Sequence, residues 1–133
     1  MMLWIDDLRN VPEGYSLVAR TANEAIALFD LHKDEITHIS FDHDLGTLSV
    51  DENGEEMSGY HFACYIEEKL YTNQYDPKNL VGIQVHSSNS SGSQRIIAFA
   101  ENIKQRFKKD LVVHYAPYES LHERDRFGCM IRK

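Results

Sequence analysis

Cysteine is scarce in this chain. Cys64 and Cys129 are the only two, 65 positions apart, and neither has metal-ligand spacing, so both read as reduced thiols in a cytoplasmic protein. Long apolar runs are missing as well. Nothing approaches the ~20 residues of a membrane span, and the N-terminus has neither the basic start nor the apolar core of a signal peptide. A cytoplasmic protein without a membrane segment is the expectation. Positive charge is in short supply too: 14 Lys and Arg face 21 Asp and Glu, for a formal net charge of −7. That balance excludes a broad electrostatic grip on nucleic acid or an anionic membrane, because such affinity comes largely from neutralising phosphates. A small phosphate ester or a nucleic-acid end stays compatible if basic groups converge locally. No repeat, low-complexity tract or linker interrupts the sequence, so residues 1–133 read as one domain. Its 42% hydrophobic content is enough for one core.

The informative feature is an apolar run that ends in polar chemistry, and it occurs three times. Ile39-Ser40-Phe41 leads into Asp42-His43-Asp44 and then Leu45-Gly46. Leu3-Trp4-Ile5 leads into Asp6-Asp7, and Val81-Gly82-Ile83-Gln84-Val85 into His86-Ser87-Ser88-Asn89. In an open α/β sheet the carboxyl ends of parallel strands line one crevice, and ligands bind there beside the reversal of strand order. Three such clusters therefore predict one shared site.

Strand and helix signals alternate along the chain, which predicts a doubly wound, mainly parallel five-stranded α/β fold. Strands are expected at about 2–6, 15–20, 36–42, 81–86 and 111–115. Thr21 with Glu24 matches a capping box and opens a helix to about His32. Ser58 can cap a second helix at about 59–72, and a third at about 92–108 carries the stripe Ile96, Ala100, Ile103 and Phe107. Asp51-Glu52-Asn53-Gly54 marks a turn, the tip of a small hairpin. Residues 116–133 read as a tail. Only about nine residues separate the first two strands, fewer than a parallel crossover usually needs. Either a first helix has been reduced to a loop, or the second strand runs antiparallel at an edge; the first is favoured.

An acidic pair after strand one, an aspartate after strand three and a hydroxyl residue after strand four resemble the receiver domains of response regulators. The closer similarity is to a divergent branch, the cyclic-phosphate-processing receiver-like domains. It rests on Leu3-Trp-Ile-Asp-Asp-Leu-Arg9, Pro12-Glu-Gly14, Thr21 with Glu24-Ala25, Ser40-Phe-Asp-His-Asp-Leu-Gly46, Gly59-Tyr60 and Val85-His-Ser-Ser-Asn89, and covers roughly residues 3–97. The resemblance implies a receiver or flavodoxin-like sheet of order 2-1-3-4-5 and a role in processing cyclic phosphates. One departure bears on signalling. Receiver domains carry a lysine at the end of strand five, and Leu111-Val-Val-His-Tyr-Ala-Pro-Tyr118 holds none.

Clustered carboxylates suit Mg²⁺ or Mn²⁺, hard cations that keep waters for a phosphate to displace. Asp6, Asp7 and Asp42 are the candidate metal ligands, and the resemblance implies the same role. Asp44 is a fourth ligand or a partner that orients His43. The competing view makes these residues turn caps and solvated loop acids. His43 and His86 are candidates for the general acid and base that hydrolysis of a 2′,3′-cyclic phosphate requires, with Asp42 beside them; the plainer alternative is that either bonds structurally to a carbonyl or carboxylate. His114 is also placed near the crevice. Ser87, Ser88 and Asn89 lead into a helix whose free N–H groups favour an anion. Arg9 can fork onto a phosphate or pair with Asp7 or Asp44; Arg95, Arg124 and Arg126 are weaker candidates of that kind. The expected ligand is a phosphorylated small molecule or an RNA terminus. A non-catalytic metal- and phosphate-binding or signalling module is the alternative. A third reading comes from Phe41-Asp-His-Asp-Leu-Gly-Thr-Leu48, close to the nucleophile motif of haloacid-dehalogenase-type phosphatases, in which Asp42 would attack phosphorus.

Overall fold

The computed structural model describes residues 1–132. Five strands, β1 (Met2–Ile5), β2 (Leu17–Ala19), β3 (His38–Phe41), β4 (Gly82–Val85) and β5 (Val112–Tyr115), form one sheet in the order β2-β1-β3-β4-β5. Every pairing is parallel. The ambiguity over the second strand resolves as expected: β2 is parallel to β1, and residues 6–16 cross between them with no helix.

Three α-helices, α1 (Ala22–His32), α2 (Gly59–Tyr71) and α3 (Ser90–Arg106), are joined by short 3-10 turns at Pro77–Asn79 and Tyr118–Ser120. The Thr21 side chain accepts from the Glu24 amide as predicted, whereas the Glu24 carboxylate turns to the Arg20 N–H instead of back to Thr21. In α2 the capping box is complete, with the His61 ring in the place usually held by Glu or Gln. α3 begins two residues earlier than the stripe predicts, because the Asn89 side chain accepts from the Gly92 amide and caps it. The predicted hairpin tip closes with an antiparallel bridge between Val50 and Glu56.

The alternation of side chains along each strand divides the core in two. Leu3, Ile5, Ile39, Phe41, Ile83 and Val85 pack with Phe29, Phe62, Ile66, Ile96 and Ile103 of the three helices. The other face carries Trp4, Ser40 and Gln84 side by side in register. Among the described residues no α-helix covers that face. Residues 116–132, expected only as a tail, lie across it: Ala116, Tyr118, Leu121 and Ile131 bury Trp4 and Tyr15 in a second cluster. Burying one large apolar side chain contributes about 1.5–3 kcal/mol, so this irregular segment is a structural layer. Among the described residues no helix is long and apolar enough to cross a membrane.

Candidate functional site

Asp6 leaves the end of β1 and is fully buried. Its Oδ1 accepts the backbone N–H groups of Leu8 (2.9 Å) and Arg9 (2.8 Å), so the carboxylate caps its own turn. Oδ2 lies 2.9 Å from His86 Nε2 and 3.3 Å from Arg9 Nη1. Burial alone would raise this carboxyl, but the hydrogen bonds from His86 and the two amides outweigh it and hold it at about 2. Arg20 donates to the carbonyls of Asp6 and Arg9 and clamps the turn from behind.

Asp42 leaves β3 one strand away, nearly buried, and its Oδ1 accepts the His43 amide at 2.9 Å. Burial and the neighbouring Asp6 charge push this carboxyl up to about 7, with Arg9 only partly countering. Two adjacent carboxylates in one environment are thus driven apart, the pattern seen where acid and base roles are assigned. The Arg9 guanidinium sits between them, Nη1 lying 3.2 Å from Asp42 Oδ2, while Nη2 meets Glu119 at 2.6 Å. The face of Tyr118 lies 5.3 Å beneath it. Arg9 therefore forms an ion-pair network, but with Asp6, Asp42 and Glu119 instead of the Asp7 or Asp44 predicted.

Beside this buried pair opens a cleft of about 400 Å³ lined by Asp7, Leu8, Arg9, Asp42, Asp44, Gly46 and Ser88. Gly46, at φ +72°, turns the chain where a Cβ would come within 2.9 Å of the Asp7 carboxylate. His43 lines an adjoining cavity of about 380 Å³ that shares Asp44 and Gly46 with this cleft; its Nδ1 lies 2.8 Å from Asp44, and Asn89 Nδ2 reaches the same carboxylate at 3.2 Å. His43 Nε2 has no hydrogen-bond partner among the described residues. The ring lies against the first turn of α3, where a Cβ on Gly92 would come within 2.3 Å of it.

His86 is different. It is wholly enclosed and stacked on Trp4, with ring centroids 3.9 Å apart and planes 2° apart. Both ring nitrogens are engaged, Nε2 with Asp6 and Nδ1 with Ser40 Oγ at 2.8 Å. Burial lowers its pKa, only partly offset by Asp6.

Of the predicted residues, Asp6, Asp42, His86 and Arg9 come together in one buried cluster. Asp7, Asp44 and Ser88 line the adjoining cleft. Ser87 is buried and accepts the Asn89 amide, and Asn89 caps α3. His114 does not reach the crevice: it lies inside β5, register partner of Gln84, with its ring against Phe127. Arg95 lies over the Tyr60 ring between α2 and α3, and Arg124 bonds the Gly128 carbonyl. Sequence reasoning missed Ser40, Gln84, Tyr15, Asp125, Arg20 and Glu119. For Ser40 and Gln84 a signal existed, since each is the single polar residue inside an apolar strand run.

Asp6, Asp42 and His86 each place one potential ligand atom within 4.8 Å of the others, a group that can hold a metal ion. Asp7 and Asp44 lie outside it. The carboxyl oxygens fit a hard divalent cation, and the raised Asp42 marks a buried carboxylate short of positive charge.

No curated protein and no solved structure matches the chain. A family model does, over residues 1–102, and it describes the cyclic-phosphate processing receiver domain. With the parallel 2-1-3-4-5 sheet, acidic residues closing β1 and β3 and the Ser-Asn loop closing β4, the chain belongs to the cyclic-phosphate processing receiver domain family.

Proposed function

We propose that this protein is a metal-dependent phosphoesterase that opens cyclic phosphates, with a 2′,3′-cyclic phosphate in a nucleotide or at an RNA end as its substrate class. The observation that supports it is the buried Asp6–Asp42 pair, one carboxyl held at about 2 and its neighbour at about 7, opening onto a cleft whose wall residue Asp44 orients His43 in the adjoining cavity. Asp6 and Asp42, with Asp7 and Asp44 at the cleft wall, would hold Mg²⁺ or Mn²⁺. Such an ion, when bound, neutralises phosphoryl oxygens and lowers the pKa of water.

The protein groups divide the remaining work. Asp44 fixes His43 through Nδ1, leaving Nε2 open to take a proton from water or give one to the departing ribose oxygen. His86, enclosed with both nitrogens engaged, reaches the reaction only through Asp6, so the two histidines act unequally. Ser88 and the amides at the start of α3 supply donors for a phosphate at the cleft.

A second reading is a binding or signalling module without turnover, favoured by one feature: the Arg9 guanidinium already occupies the space between Asp6 and Asp42. The haloacid-dehalogenase-type reading draws no support from the family match. The deciding experiment incubates pure protein and Mg²⁺ or Mn²⁺ with 2′,3′-cyclic nucleotides and with RNA bearing that terminus. Ring-opened monophosphate that disappears with chelator and in Asp42→Asn is the expected product. Saturable binding without turnover selects the module; neither binding nor turnover refutes both.

A further inference from the structure

The C-terminal segment joins the site through one chain of hydrogen bonds. It starts at a donor whose direction is fixed. The Arg126 backbone N–H lies 2.7 Å from Gln84 Oε1, and a backbone N–H can only donate, so that atom is the amide oxygen. The other end of Gln84 is then NH₂. It lies 2.7 Å from Ser40 Oγ and 3.2 Å from Asp125 Oδ2, giving one hydrogen to each. Asp125 is buried and is held from every side: Tyr15 donates to Oδ2 at 2.6 Å, and the amides of Phe127 and Cys129 donate to Oδ1.

Because Ser40 Oγ accepts from Gln84, its own hydrogen is available to the next group, His86 Nδ1 at 2.8 Å. The Asp6 carboxylate, 2.9 Å from Nε2, can only accept, so a neutral ring carries its hydrogen on Nε2 and accepts the Ser40 hydrogen at Nδ1. We propose that Asp125, Gln84 and Ser40 are positioning residues that fix the His86 ring as an Nε2–H donor to Asp6, so that the C-terminal segment sets the orientation of a site carboxylate from across the sheet. Ser40, Gln84 and His86 lie within the family match, whereas Asp125 lies outside it. Stacking on Trp4 holds the ring plane, and the hydrogen-bond chain decides which nitrogen faces Asp6. The inference rests on Asp6 belonging to the site, and not on hydrolysis.

Its test needs neither substrate nor turnover. Protein labelled with ¹⁵N in histidine, free of metal, is read by long-range ¹H–¹⁵N correlation, with His86→Ala identifying the resonances. The expected wild-type pattern has hydrogen on Nε2 and a bare Nδ1; hydrogen on Nδ1 overturns the proposal whatever any variant does. In Asp125→Asn the two backbone donors keep the amide oxygen at the Oδ1 position, which turns the new NH₂ against the Gln84 amide. The expected result is loss of the single His86 pattern and a Mn²⁺ affinity about 10–100-fold weaker, the usual reach of a group that orients a metal ligand. A folded Asp125→Asn protein with an unchanged His86 pattern also overturns it. Because the pattern is read without substrate, failure of the hydrolase reading leaves this result standing, and the reverse holds.

Discussion

Replacing Asp42 with Asn should flatten the pH dependence of stability in the metal-free protein. The native carboxyl titrates at about 7, whereas an unperturbed one titrates at 3.8. Between those values the native state keeps a proton that the unfolded chain has released. Raising the pH therefore favours unfolding, and the stability associated with that proton is lost as pH climbs toward 7. From pH 5 to 7 is two units at ~1.36 kcal/mol each, the slope easing near 7 where the native carboxyl is half ionised, so wild type should lose roughly 2 kcal/mol that Asp42→Asn does not lose. The Asn oxygen can still accept the His43 amide, but its NH₂ then faces Arg9 Nη1, a cost that does not vary with pH, so the two proteins are compared by the slopes of their curves. Urea unfolding with chelator present, followed at intervals from pH 5 to 8, reads the difference directly. All other titrating groups are common to both proteins and cancel. Parallel curves across that range would refute the argument, since they would mean that neither burial nor the Asp6 charge acts on Asp42.

With Mg²⁺ or Mn²⁺ added, wild type should gain about 2.7 kcal/mol at 100 Kd of metal, seen as a thermal shift that shrinks in Asp42→Asn; equal shifts would place the ion elsewhere. Arg9→Gln should weaken the metal-free fold by roughly 3 kcal/mol, since it strands two buried carboxylates, and divalent metal should restore much of the loss; a variant as stable as wild type without metal would show that Arg9 is not their counter-charge. If turnover exists, His43→Ala should reduce it by about 10²–10⁴, and Gly92→Ala, which pushes the ring from its seat, should reduce it in the same direction while metal binding survives. Full activity in both variants would remove His43 from the chemistry.

The sequence made the helix-facing half of this molecule legible. Ile39 and Phe41, or Ile83 and Val85, alternate with single polar residues, and the resulting strands carry Asp42 and His86 to one sheet edge. The position of the carboxylates followed from that pattern, because strand ends in a parallel sheet have only one crevice to face. The other half was not legible. Ala116, Tyr118, Leu121 and Ile131 have neither a helical nor a strand period, so nothing in their spacing announced that they cover Trp4. Asp125 looked like one charge among many in Glu119-Ser-Leu-His-Glu-Arg-Asp-Arg126, yet it is buried with four hydrogen-bond donors around it. Arg9 was recognised as an ion-pair former, but its partners depend on strand order and on the tail. His114 was misplaced by one step along β5, and in a strand one step changes both depth and face.

The stacking of Trp4 on His86 has a practical consequence. Trp4 is the chain's single tryptophan, wholly enclosed, with no acceptor for its indole N–H among the described residues. Its ring touches the sheet, the C-terminal layer and the imidazole that meets Asp6. Tryptophan emission, excited selectively beyond the absorption of the seven tyrosines, therefore comes from one fluorophore at that junction. Opening of the C-terminal layer admits water to the indole and reddens its emission, whereas a change at Asp6 reaches it through the stacked ring. The unlabelled protein carries an optical probe of its own site.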